Sequence, residues 1–159
     1  MLIEESNFIN RYNAFICVVF SKLYANNFES IYGHDEYLVI MYYESKGLYE
    51  ASLDWQGTLI DSGIVIYQVN AKIAPGGDFW DMFKYDNMSD PNNFFIKLLS
   101  VEQNNFPGNN PIDSGDILTS GSFNIRNTSY KWEDNSLINV EIEALSLIND
   151  KASVRVKIN

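Results

Sequence analysis

The chain has 159 residues, with 11 Lys and Arg against 21 Asp and Glu, a formal net charge of −10. That length fits one domain, residues 1–159, and hides enough surface to fold with neither a disulfide nor a metal. The acidic balance argues against binding nucleic acid through its phosphates and against adsorption to an anionic membrane.

In chain order, Phe8, Tyr12, Phe15, Ile16, Val19, Phe20 and Leu23 recur at three- and four-residue spacing. That spacing predicts an amphipathic helix within residues 6–25, with Ser6 as its N-cap. The β-branched Ile16, Val18 and Val19 leave a strand open there. Cys17 is the only cysteine, which excludes an intrachain disulfide and fits a reducing compartment. Its apolar neighbours predict a buried, inert thiol.

Residues 36–44 (EYLVIMYYE) read as a strand, 45–47 as a tight turn, and 48–55 as an alternating strand. A further turn at 61–63 leads into 64–73 (IVIYQVNAKI), which has the continuous apolar character of a central strand. Together the three predict an antiparallel meander. Pro75-Gly76-Gly77 ends it, and Asp78 is placed to cap a short helix carrying Phe79, Trp80 and Phe83. Asp90-Pro91 is a second helix start, a cap residue followed by proline at the first helical position. Phe94, Phe95, Leu98 and Leu99 form the stripe of that helix, which runs to about Gln103.

A polar loop over 104–115 precedes three further strands. The last two, 137–148 and 152–158, alternate apolar and polar residues around a hairpin at Asn149-Asp150. The expected fold is α+β: a two-layer sandwich, helices on one face of a largely antiparallel sheet, in the order helix–βββ–helix–βββ.

Catalytic signals are few. His34 is the only histidine, which excludes a two-histidine metal site, and His34-Asp35-Glu36 reads as a solvated turn. The sequence contains no G-x-S-x-G elbow, no phosphate-binding glycine loop and no complete calcium loop. The reading is therefore of a non-enzymatic protein with no cofactor, no metal and no catalytic residue. Aromatic residues carry the remaining signal. Tyr42 and Tyr43 are adjacent on a strand, so at least one leaves the core face; Tyr130 and Trp132 share a face. Tyr42, Tyr43, Trp55, Trp80, Tyr130 and Trp132 are the interface candidates.

No basic region precedes an apolar stretch at Met1-Leu2-Ile3-Glu4-Glu5, and no apolar run approaches the roughly 18–20 residues that span a bilayer. The expected location is the cytosol, or a particle assembled there.

The order of these elements resembles that of tail terminator and tail-completion proteins of long-tailed bacteriophages. Residues 36–43 stand as the first central strand after an N-terminal helix. Residues 54–73 stand as the pair leading to a helix at 78–83, and 130–145 as the closing hairpin. The resemblance is topological and covers about two-thirds of the chain; 86–115 is longer than its pattern and 152–158 is additional. It implies a virion or host-cytoplasmic structural protein forming a homo-oligomeric ring with tail or connector proteins, without direct nucleic-acid or membrane binding.

Three rival readings stand beside it. The first is an acidic partner-binding protein, such as a secretion chaperone or toxin immunity protein, with a basic partner. The second is an acyl-thioester enzyme or ligand carrier with a pocket between helix and sheet, to which Phe106-Pro107-Gly108 bears a faint likeness. The third, a DNA mimic, rests on charge alone.

Overall fold

A computed structural model describes residues 2–9, 18–22, 36–43, 62–71, 95–102, 114–148 and 151–158, with backbone alone for 2–9, 18–22 and 151. Eight strands run through these residues: β1 (Leu2–Ile9), β2 (Val18–Lys22), β3 (Glu36–Tyr43), β4 (Gly63–Asn70), β5 (Ile96–Leu98), β6 (Gly121–Asn124), β7 (Val140–Ile148) and β8 (Lys151–Ile158). They form two four-stranded antiparallel sheets, ordered β1-β8-β7-β6 and β2-β3-β4-β5.

The expected α+β architecture is corrected to an all-β one, since the described residues contain strands and two short 3-10 turns but no α-helix. Ser6 is no helix cap. It lies in β1 opposite Val154, and all eight residues of β1 pair along β8. Val18–Lys22 pairs with β3 from Ile40 to Glu36. The helical spacing of the apolar residues was real, but long-range pairing of β-branched segments outweighed it. The helix expected after Asp90-Pro91 is likewise a strand at Ile96–Leu98, paired with Val69 to Tyr67 of β4. The meander also changes. Among the described residues β3 is flanked by β2 and β4 and pairs directly with β4. Residues 48–55 and 78–83, with Cys17 and His34, lie outside the described residues.

Strand alternation explains the core. On β3, Leu38, Ile40 and Tyr42 face inward, and on β4 Ile64 and Ile66 do the same. They meet Phe123, Val140, Ile142, Ala152, Val154 and Val156 from the other sheet, and Ile138 just before it, in one continuous cluster. Leu38, Ile40, Ile64, Ile66, Ile138 and Ile142 are each 0% exposed. Fully burying such a side chain contributes roughly 1.5–3 kcal/mol.

The second sheet is covered on its other face too. Val65, Leu98 and Ile117 form a smaller cluster there, with Met41, Tyr43 and Tyr67 packed against it. The charged side of the first sheet differs, carrying Glu141 and Glu143 beside Arg155 and Lys157. Lys157 Nζ lies 2.9 Å from Glu141 Oε1, and Arg155 Nη1 lies 3.1 Å from Glu143 Oε2.

One short stretch ties the sheets together. Ile64 and Leu118 exchange both backbone hydrogen bonds, at 3.0 and 2.9 Å, and three residues later Gly121 lies opposite Ala144 of β7. The chain turns between sheets at Gly121, whose φ of 75° is open to glycine at little cost. At Gly63 the constraint is contact: an added Cβ would lie 3.1 Å from both Ile117 Cδ1 and the Leu118 carbonyl oxygen.

These two glycines give a matched test of the corner. Gly121→Ala meets nothing within 4 Å, so its loss is backbone strain alone, about 1 kcal/mol. Gly63→Ala displaces a hydrogen-bonded backbone, and we expect a loss of about 1–3 kcal/mol by urea unfolding. It should also speed amide exchange at Ile64 and Leu118. Unchanged exchange at both amides would mean that the bridge does not depend on this contact.

Candidate functional site

The most unusual chemistry inside the sandwich stands at one end of the inner face. Glu36 opens β3 and lies on the same side as Leu38 and Ile40, and it is 1% exposed. A carboxylate so deep must be hydrogen-bonded to be tolerated. Gln68 Nε2 donates to Glu36 Oε1 at 2.6 Å. The Glu133 backbone N–H reaches both carboxylate oxygens, at 3.1 and 2.9 Å. Gln68 Nε2 also donates to the Lys131 carbonyl oxygen at 3.0 Å. Glu36 and Gln68 thus clamp the 131–137 crossing hairpin onto the second sheet.

That hairpin is built locally. Lys131 bridges Leu137, and Asn135, with φ of 64°, takes the left-handed position that Asn tolerates. Asn135 N–H donates to Trp132 O at 2.9 Å, and Ser136 N–H to Asp134 Oδ1 at 2.9 Å.

Asn70 completes the group. It lies directly opposite Glu36 in the β3–β4 register and is 7% exposed. Its Oδ1 is buried and accepts no hydrogen bond among the described residues. Such an acceptor costs about 1–3 kcal/mol when left without a donor. On the other side of Glu36, the register places Lys22 of β2.

A second polar contact is structural. The Tyr130 phenol accepts from the Ser100 N–H at 2.8 Å and lies 3.3 Å from the Ser100 carbonyl oxygen. Burial pushes this phenol well above its ordinary value of 10.0, with the Asp116 charge adding to the rise and the Ser100 hydrogen bond opposing it. On the outer charged face, the hydrogen bond to Glu141 raises the Lys157 ammonium above its usual value.

Of the interface candidates, Tyr42, Tyr130 and Trp132 lie in the main core, at 9%, 6% and 9% exposure. Tyr43 is half-buried on the opposite face of its sheet, against the smaller cluster. Adjacent tyrosines do therefore take opposite sides, and each finds an apolar layer. Trp55 and Trp80 lie outside the described residues. Exposed aliphatic side chains occur elsewhere: Leu145 and Ile148 at the end of β7 are 41% and 63% exposed. Sequence reading missed Glu36, placing it in a solvated turn, and passed over Gln68 and Asn70 within an apolar strand. The available signal was a carboxylate at the head of the run Tyr37-Leu38-Val39-Ile40-Met41.

No family model, curated protein or solved structure matches this chain. No helix among the described residues is long and apolar enough to cross a membrane.

The Tyr130 contact yields a pH prediction. In the unfolded chain the phenol ionises near 10.0, whereas in the fold it stays neutral to higher pH. Its contribution is therefore complete below that pH and declines as pH rises above it. Tyr130→Phe should lower stability by roughly 1–3 kcal/mol at neutral pH and flatten part of the alkaline decline in urea unfolding. A variant that matches the wild type in both respects would remove this hydrogen bond from the account.

Proposed function

We propose that this chain is a non-catalytic assembly protein that works by protein–protein contact and associates with further copies of itself. The observation that carries the reading is the end of β7, where Leu145 and Ile148 face solvent beside the hairpin to β8. β6 pairs with β7 only from Glu141 to Ala144, and a register shift between Ala144 and Ser146 follows directly. A bulge at that position re-aims side chains and terminates pairing, which leaves large aliphatic groups outward on a small sheet. Neighbouring exposed apolar groups are characteristic of contact surfaces.

Glu36 and Gln68 hold the 131–137 hairpin, and Tyr130 holds Ser100. Two earlier premises are lost. The ring-capping reading needs an N-terminal helix, and residues 2–9 and 18–22 are strands, so the proposal keeps assembly without that family. The carrier reading needs a pocket between helix and sheet, and the inner face of β3 and β4 packs against strands instead. The net charge of −10 favours one second reading, in which the partner is a basic protein.

Absolute mass by light scattering, across protein and salt concentration, tests the proposal. We expect a particle heavier than the 18.2 kDa chain, and monomers from a Leu145→Lys, Ile148→Lys double variant with unchanged circular dichroism. A wild type that stays monomeric throughout overturns self-association. If that monomer gains mass only with a basic protein, the second reading replaces it.

A further inference from the structure

The outer face of β7 and β8 is sorted by charge. Glu141 and Glu143 stand in a row on β7, and Lys157 and Arg155 stand directly opposite them on β8. Lys157 Nζ lies 2.9 Å from Glu141 Oε1 and 3.6 Å from Glu143 Oε2, and Arg155 Nη1 lies 3.1 Å from Glu143 Oε2. Each of the four keeps 22–33% of its side chain exposed, so each can meet a further charge. Ala144 and Leu147 turn toward the main core, and the residue after each, Leu145 and Ile148, stands exposed. Among the described residues neither apolar cluster extends onto this side of the sheet.

We infer that this face is one half of a two-fold symmetric dimer, stacked on the same face of a second copy about an axis running along the strands between β7 and β8. The inference rests on the self-association proposed above and adds its surface and geometry. Sheets that stack face to face align their strands within about 30°, at a spacing of roughly 10 Å. Two aligned ways then exist to lay this face on a copy of itself. An axis across the strands sets β7 over β7 and β8 over β8, so acids meet acids and bases meet bases. An axis along the strands sets β7 of one copy over β8 of the other, with each residue at unchanged height. Glu141 then stands over the partner's Lys157 and Glu143 over the partner's Arg155, and symmetry makes each contact twice. Leu145 and Ile148 meet their counterparts across the axis.

The charge balance selects the occupant. The paired rows carry two acids and two bases, within a chain of net charge −10. A basic protein drawn by the overall charge would meet as many bases as acids here. A second copy meets the opposite sign in both rows. Two acidic chains repel at long range, and rows without net charge are where that repulsion is least. Affinity and orientation come from different groups. Exposed ion pairs contribute little affinity but fix which way the partner lies, while Leu145 and Ile148 supply the apolar contact.

Mass in solution tests the rows. Wild type should reach twice the 18.2 kDa chain mass. The double variant Glu141→Lys, Glu143→Lys makes both rows basic, and Arg155→Glu, Lys157→Glu makes both acidic. Each should be monomeric alone, and an equal mixture should form one-to-one dimers. The in-chain pairs are broken in both variants, so recovery in the mixture reports contact between copies rather than folding. A folded row variant that keeps the wild-type mass overturns the inference, as does a mixture of folded variants that stays monomeric. Wild type alone gives a second readout that no misfolded variant can spoil. Carbodiimide treatment of mixed isotope-labelled and unlabelled protein should yield mixed-label peptides joining Glu141 or Glu143 to Lys157. A heavier wild type without those peptides overturns this geometry and leaves the proposed self-association standing. A wild type that stays monomeric throughout overturns both.

Discussion

A four-stranded sheet with one apolar face has nowhere to hide that face by itself, and here two such faces hide each other. Leu38, Ile40, Ile64 and Ile66 on one side meet Ile138, Ile142, Val154 and Val156 on the other in a single cluster. Every other feature is arranged around that layer. The Ile64–Leu118 bridge and the turn at Gly121 carry the chain from one sheet to the other along its side. The Glu36 clamp and the Tyr130 contact tie connecting segments to it. Removing the layer would leave two open sheets with no independent stability.

The polar residues at the end of the layer are where the fold departs from simple economy. A carboxylate at 1% exposure contributes no apolar burial, and it needs several donors to be accommodated. Those donors come from β4 and from the 131–137 hairpin, segments far apart in sequence. A buried carboxylate fixed in this way specifies one arrangement of strands.

Much of the strand pattern was legible in the residues. The 36–44 and 64–73 readings correspond to β3 and β4, and the alternation of Val140, Ile142, Val154 and Val156 with charged residues reads directly as β7 and β8. The helices expected within 6–25 and after Asp90-Pro91 were misread for an identifiable physical reason. Adjacent apolar pairs such as Leu98-Leu99 suggest a helical stripe when only one face of an element is buried. In a sheet covered on both faces, each member of the pair finds its own layer, Leu98 the smaller cluster and Leu99 the main one. Ile117-Leu118 and Tyr42-Tyr43 divide in the same way. The site was illegible for a different reason. Register alone brings Glu36 and Asn70 together, and no local spacing encodes a register between distant strands.

The claim beneath all of this is that the two sheets share one core and therefore one stability. Native-state hydrogen exchange on wild type and an Ile40→Ala variant tests it most directly. The substitution removes a fully buried side chain from one sheet only, a change that typically costs about 2–5 kcal/mol. With a shared core, the slowest amides of β7 and β8 should lose as much protection as those of β3 and β4. If protection falls in β3 and β4 alone while β7 and β8 keep theirs, the sheets are separate units and the account is wrong.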